Sequence, residues 1–137
     1  MATSPTTTDH DETLQDVEET LGTVPEWLDA LPPADAVDEW PFFKRYLVGE
    51  WEIPPKYREL IGLAVAANVK CPYCTHFHSE AAKLHGATEE ELAELSMLAS
   101  VTARYSAILH AQNYDLDTFE AETAAIGAHF EAQMADD

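Results

Sequence analysis

Basic side chains are scarce. Four lysines and three arginines face twenty-six acids, and the formal charge is −19. Without a basic stripe to neutralise phosphates, nucleic-acid binding is excluded. The same charge argues against docking on an anionic membrane surface. The acids are spread along the chain rather than massed in one tail. That distribution predicts a halophilic protein, adapted to a high-salt cytoplasm where the Debye length falls to ~3 Å near 1 M and self-repulsion is screened. Thermal melts over a salt series test this. Tm is expected to rise from low to molar salt, and an unchanged Tm would sink the expectation.

Long apolar runs are absent too. The longest, Leu60 to Ala67, is far too short to span a bilayer. No charged-then-apolar leader opens the chain, so no signal peptide is expected. No segment alternates convincingly enough for a strand, and there is neither an internal repeat nor a phosphate-binding loop. Cysteine is limited to Cys71 and Cys74. The expected compartment is a reducing cytoplasm, where a lone CxxC is more often catalytic or metal-binding than a structural staple.

What remains is helical. The 137 residues suffice for one domain with a sizeable core. Residues 1–10, polar and rich in Thr and Ser, are expected to form a disordered tail, and residues 11–137 a single all-α domain. Weak periodicity predicts a surface helix over 11–21. A short helix follows at Pro25, ending before Pro32-Pro33. Val37, Trp40, Phe43, Tyr46 and Leu47 predict a helix over 34–49 that Pro41 either kinks or starts. The strongest core helix is expected over 55–69, apolar on most sides and so largely buried. Pro72 and Gly86 bracket the next. Thr88-Glu89-Glu90-Glu91 is a capping box opening a long helix to about Gln112, with Leu92, Leu95, Leu98, Ala99 and Thr102 inward. Asp115 or Asp117 caps the last, through Ala132. Trp40, Phe42, Phe43, Tyr46 and Trp51 are expected to serve as core or subunit contacts rather than a cofactor cage.

The chemistry concentrates in Cys71-Pro72-Tyr73-Cys74-Thr75-His76-Phe77-His78. On a helix opened by Pro72, Cys74 lies ~300° from Cys71 and His78 ~700°, or −20°, so both sulfurs and one imidazole share a face. His76 falls on the other side. Only roughly 3% of an ordinary cysteine is thiolate at pH 7, and thiol redox chemistry needs the thiolate. The helix N-terminus favours it at Cys71. His78, one turn past Cys74, can take that residue's proton. The paired cysteine then resolves the oxidised sulfur as a disulfide. Glu59 faces the apolar side of the preceding helix and is the candidate to orient His78; a surface acid paired with Lys56 or Arg58 is the plain alternative.

Glu59, eleven intervening residues, then Cys71-x-x-Cys74-x-x-x-His78 resembles the signature of the AhpD-like alkylhydroperoxidases of the carboxymuconolactone decarboxylase superfamily. The likeness runs from Pro54-Pro55-Lys56-Tyr57-Arg58-Glu59-Leu60 to His85-Gly86-Ala87-Thr88-Glu89-Glu90-Glu91-Leu92, an AhpD-like core at about 53–106, or about 40% of the chain. The resemblance implies an all-helical homo-oligomer, trimer or hexamer, and a thiol-dependent hydroperoxide reductase or dithiol–disulfide oxidoreductase with no cofactor. It implies Cys74 as the nucleophile, Cys71 as the resolving thiol, and Glu59 and His78 as a proton relay. It further implies a hydroperoxide substrate and a dithiol reductant, lipoyl or thioredoxin-like. Tyr73 departs from the histidine that well-studied members carry there. The decarboxylase branch lacks the cysteine pair, so decarboxylation is not expected. Two other classes stay open. One is a zinc-binding module using Cys71, Cys74 and His76 or His78, with His85, Glu59 or another subunit as fourth ligand. The other is a non-catalytic oligomeric scaffold.

Overall fold

The computed structural model describes residues 7–135. Among them are seven helices and no strand: α1 (Thr7–Leu21), α2 (Glu26–Asp29), α3 (Pro33–Val48), α4 (Pro55–Val69), α5 (Pro72–Leu84), α6 (Glu89–Ala111) and α7 (Leu116–Ala135). The all-α expectation holds. Helix α1 begins at Thr7, so 7–10 are helical rather than part of a disordered tail, while 1–6 lie outside the described residues. The chain divides into two compact units, residues 1–52 and 53–137. The boundary coincides with the expected start of the AhpD-like core.

In the first unit, α3 packs on α1 around Val17, Leu28 and Trp40. Phe43 meets Trp27 and Trp40 edge-on, with ring centroids 5.5 and 6.2 Å apart. Asp16 ties the pair together, accepting from Trp40 Nε1 at 2.6 Å and from Lys44 Nζ at 2.6 Å. Lys44 first, and Trp40 after it, hold the Asp16 carboxyl below the usual carboxylate range. Pro41 lies inside α3 rather than at its start. Its ring removes one helical N–H donor, and the helix continues through it. Phe42 and Trp51 flank the Arg45 guanidinium at 5.8 and 5.3 Å, which accounts for two aromatics outside the core.

The second unit is built on α4, with α5 and α6 packed against it. Pro54 and Pro55 start α4 where expected, and it ends at Val69. Lys70 then adopts a left-handed conformation, φ 58°, and the Cys71 N–H returns to the Ala66 carbonyl at 3.1 Å. The chain therefore reverses within two residues, and α5 runs back along α4. Gly86, at φ 86°, closes α5 in a conformation that disfavours a β-carbon.

Helix α6 starts from the expected capping box. Glu91 N–H donates to Thr88 Oγ1 at 3.1 Å, and Thr88 N–H to Glu91 Oε2 at 2.9 Å. The other oxygen of Glu91 takes Lys56 Nζ at 2.7 Å, tying α6 to the start of α4. Higher up, Asn68 Nδ2 bridges the carbonyls of Ala64 and Ala99, at 2.9 and 3.0 Å. The Lys56 contact, followed by the Thr88 N–H, lowers the Glu91 pKa, while Glu91 raises that of Lys56. The bridge thus contributes fully above the unfolded glutamate value of 4.5 and fades as pH falls through the lower folded value. It is also lost as pH rises through the raised lysine value. Glu91→Gln keeps a capping side chain and removes the charge. We expect it to lower Tm by a few degrees between about pH 5 and 10, with the gap to wild type narrowing as pH falls below the ordinary glutamate value of 4.5, measured by melts across pH.

Two burial expectations are corrected. Helix α4 is not largely buried: Glu59, Leu63 and Ala66 are, but Ile61, Val65 and Val69 are exposed. Within one chain α5 and α6 cover one side of α4, and the stripe of residues 61, 65 and 69, spaced four apart, faces away. On α6, Leu92, Leu95 and Ala99 are half-buried, whereas Leu98 and Thr102 are exposed. Asp115 caps α7 through Thr118 N–H at 2.8 Å. That helix carries exposed Phe119, Ile126, Phe130 and Met134. Among the described residues no helix is long and apolar enough to cross a membrane.

Candidate active site

The α4–α5 reversal sets the site. Glu59 precedes Ala66 by seven residues and His78 follows Cys71 by seven, and Ala66 and Cys71 are bonded across the turn. Both side chains therefore stand about 10 Å along their helices from the same point, on facing sides. His78 Nδ1 and Glu59 Oε2 meet at 2.8 Å. Glu59 is the one buried charged residue in the described core, at 4% exposure, and the His78 side chain is 17% exposed. A carboxylate only accepts, so Nδ1 carries the proton of this bond and Nε2 is the nitrogen able to accept another. The surface-acid reading of Glu59 does not hold, because Glu59 is buried; Lys56, one of its two suggested partners, pairs with Glu91. Phe77 stands edge-on to the His78 ring, centroids 5.2 Å apart, a contact that no spacing in the chain anticipates.

At the other end of α5, Cys71 is the N-cap. Its Sγ accepts from the Cys74 N–H at 3.2 Å. Cys71 is half-buried and Cys74 exposed, and both are free thiols. Contact between the two thiols moves their acidities in opposite directions. The Cys74 thiol, and then the Cys74 backbone N–H, donate to Cys71 and lower its pKa. Cys74 is raised, chiefly because it is the donor in that contact, then by desolvation and the neighbouring charge. Of the two thiols Cys71 is therefore the more readily ionised, the order that the helix N-terminus alone favours. A shallow depression bordered by Lys70, Cys71, Thr75, His76 and Glu80 opens beside it.

Tyr73 is 85% exposed and takes no part in the Glu59–His78 bond. His76 is exposed, and His85 caps the end of α5. Among the described residues no three His, Cys, Asp or Glu side chains converge to hold a metal ion. Lys70 is a turn position that sequence reasoning missed. Its left-handed turn brings the two helices face to face, and only the short gap between Val69 and Pro72 hinted at it.

A sequence profile of the carboxymuconolactone decarboxylase family matches residues 40–114, more than half of the chain. The chain belongs to the carboxymuconolactone decarboxylase family. Within that family it is AhpD-like. It is similar to the crystal structure of the alkylhydroperoxidase AhpD core from Rhodospirillum rubrum, with 28% identity and a TM-score of 0.70 over 84% of this chain and 88% of that one. That coverage exceeds what residues 53–137 supply, so this carboxymuconolactone decarboxylase family member resembles the AhpD core in part of its first unit as well. No curated protein matches the chain.

Proposed function

We propose that the protein is a thiol-dependent hydroperoxide reductase, cycling Cys71 and Cys74 between dithiol and disulfide. The observation that carries this reading is the part-buried 2.8 Å bond between Glu59 and His78, one helical turn beyond a CxxC whose first cysteine caps the helix. The name of the R. rubrum relative, an alkylhydroperoxidase, points the same way.

The inequality of the thiols suits each half of the cycle. Cys74 is the sulfur a hydroperoxide reaches from solvent. His78 Nε2 takes its proton, and the Cys74 thiolate attacks the distal peroxide oxygen. The O–O bond breaks, Cys74 becomes a sulfenic acid, and the alkoxide leaves as alcohol with the proton from His78. A higher-pKa thiol, once deprotonated, is the stronger nucleophile. The Cys71 thiolate then attacks the sulfenic sulfur, giving the disulfide and hydroxide, which is protonated to water. A donor dithiol of lipoyl or thioredoxin-like class returns two electrons and two protons. Its thiolate attacks Cys74 and expels Cys71, the lower-pKa and better leaving group.

The exposed stripe Ile61, Val65, Val69 and the apolar side chains of α7 support a homo-oligomer, trimer or hexamer. A lone CxxC restored by a dithiol donor fits a reducing cytoplasm. The decisive experiment measures peroxide consumption with dihydrolipoamide as donor in wild type and Cys74→Ser. Turnover in the first and none in the second upholds the reading. Equal rates, or stoichiometric zinc in protein purified under reducing conditions, overturn it.

A further inference from the structure

We propose that Gly62 is a positioning residue for the relay, its missing side chain being the space that the His78 imidazole fills. This rests on reading Glu59 and His78 as that relay. Gly62 sits in the middle of α4, and the glycines with positive φ are Gly22 and Gly86. Its backbone is ordinary helix, where alanine is more favourable than glycine. No conformational demand explains it, which leaves space as the reason.

A β-carbon built on Gly62 would stand 2.4 Å from His78 Cε1, 2.6 Å from Nδ1 and 2.7 Å from Nε2. Non-bonded carbon atoms prefer about 3.5–4.0 Å. All three nearest atoms belong to the ring, so the imidazole lies over the bare α-carbon. Glu59 is three residues earlier on the same face of α4. The helix therefore offers a carboxylate and, one turn on, a step for the ring to rest against. The ring is not a flexible tip that swings aside: Nδ1 is held at 2.8 Å by Glu59, and Phe77 stands edge-on to it. Moving it about 1 Å to admit a methyl group disturbs the length and angle of that bond. A β-carbon added to Gly127, inside α7, would meet no atom within 4 Å, which makes that glycine the internal control.

The test compares full-length wild type with Gly62→Ala, Gly127→Ala, His78→Ala and the Gly62→Ala/His78→Ala double variant. Long-range ¹H–¹⁵N spectra report the His78 tautomer without any catalysis. Single-turnover disulfide formation with hydrogen peroxide, followed across pH without a donor, reports the relay. Melts report the fold. We expect the Nδ1–H tautomer in wild type and its loss in Gly62→Ala. Disulfide formation in Gly62→Ala should slow at least ~10-fold at neutral pH, approaching the His78→Ala rate. With His78 already removed, Gly62→Ala should slow nothing further and should raise Tm, as Gly127→Ala does. An unchanged tautomer and rate in Gly62→Ala overturns the proposal, as does an equal further loss in the double variant. If Gly62→Ala alone fails to fold, the double variant decides: melting above His78→Ala upholds the proposal, and failing as well overturns it. If wild type forms no disulfide with peroxide, the reductase reading falls, while tautomer and melts still decide Gly62.

Discussion

Cys74→Ser is expected to abolish peroxide turnover, lowering the rate at least ~10³-fold to background, because the attacking sulfur itself is gone. Cys71→Ser should behave differently. Its Cys74 still attacks one equivalent of hydroperoxide, but no resolving thiolate follows. The expected result is a single burst and a Cys74 sulfenic acid that dimedone traps at one equivalent. Alkylation adds a second signature. In wild type the first thiolate to react with iodoacetamide should be Cys71, at a pH below the ordinary cysteine value, since the Cys74 thiol and N–H both donate to it. Cys74→Ser trades the thiol donor for a hydroxyl and leaves the backbone donor, so Cys71 should stay reactive while turnover is lost. Cys71→Ser removes the contact that raises Cys74, whose alkylation midpoint should fall. A dimedone adduct on Cys71 in Cys74→Ser, with peroxide turnover retained, would reverse the two roles.

The order of thiol acidity shows where a sequence stops being enough. Spacing put Cys71, Cys74 and His78 on one face, and the helix-terminus argument singled out Cys71. The 3.2 Å contact from the Cys74 N–H to Cys71 Sγ depends on a cap geometry that spacing does not encode. Helix ends were legible because their signals are local. Pro55, Pro72, Thr88, Asp115 and Gly86 each act within one turn of where they stand, and α4 and α6 begin where these residues dictate. The ties between helices were not legible. Lys56 reaches Glu91 across 35 residues of sequence, and no periodicity carries that pairing. Burial of α4 was overestimated for a related reason. An apolar helix asks to be covered on all sides, but its own sequence does not say what covers it. The Glu59–His78 pair falls between these cases. Its two members were each visible, and the left-handed turn at Lys70 that makes them meet was not.

Removing Glu59 should cost as much rate as removing His78 itself. General acid–base catalysis by a positioned side chain contributes about 10²–10⁴-fold, so His78→Ala is expected to fall within that range at neutral pH. Glu59→Ala frees the ring to rotate and removes the acceptor of its Nδ1–H in a part-buried setting, at about 1–3 kcal/mol of stability. Glu59→Gln separates orientation from charge. Its amide fills the same volume, yet it can donate as well as accept, which permits the tautomer with a bare Nδ1 and a protonated Nε2. In that tautomer Nε2 has no lone pair with which to take the Cys74 proton. Glu59→Gln should therefore keep most of the stability while losing nearly as much rate as Glu59→Ala. The deficit should shrink with rising pH, because Cys74 then ionises unaided. Cys74 sits above the ordinary cysteine range, so the shrinkage should begin only on the alkaline side of it. Single-turnover disulfide formation at several pH values, with melts on the same samples, measures both quantities. A Glu59→Gln rate within twofold of wild type at neutral pH would show that the carboxylate's charge plays no part, and would remove Glu59 from the chemistry.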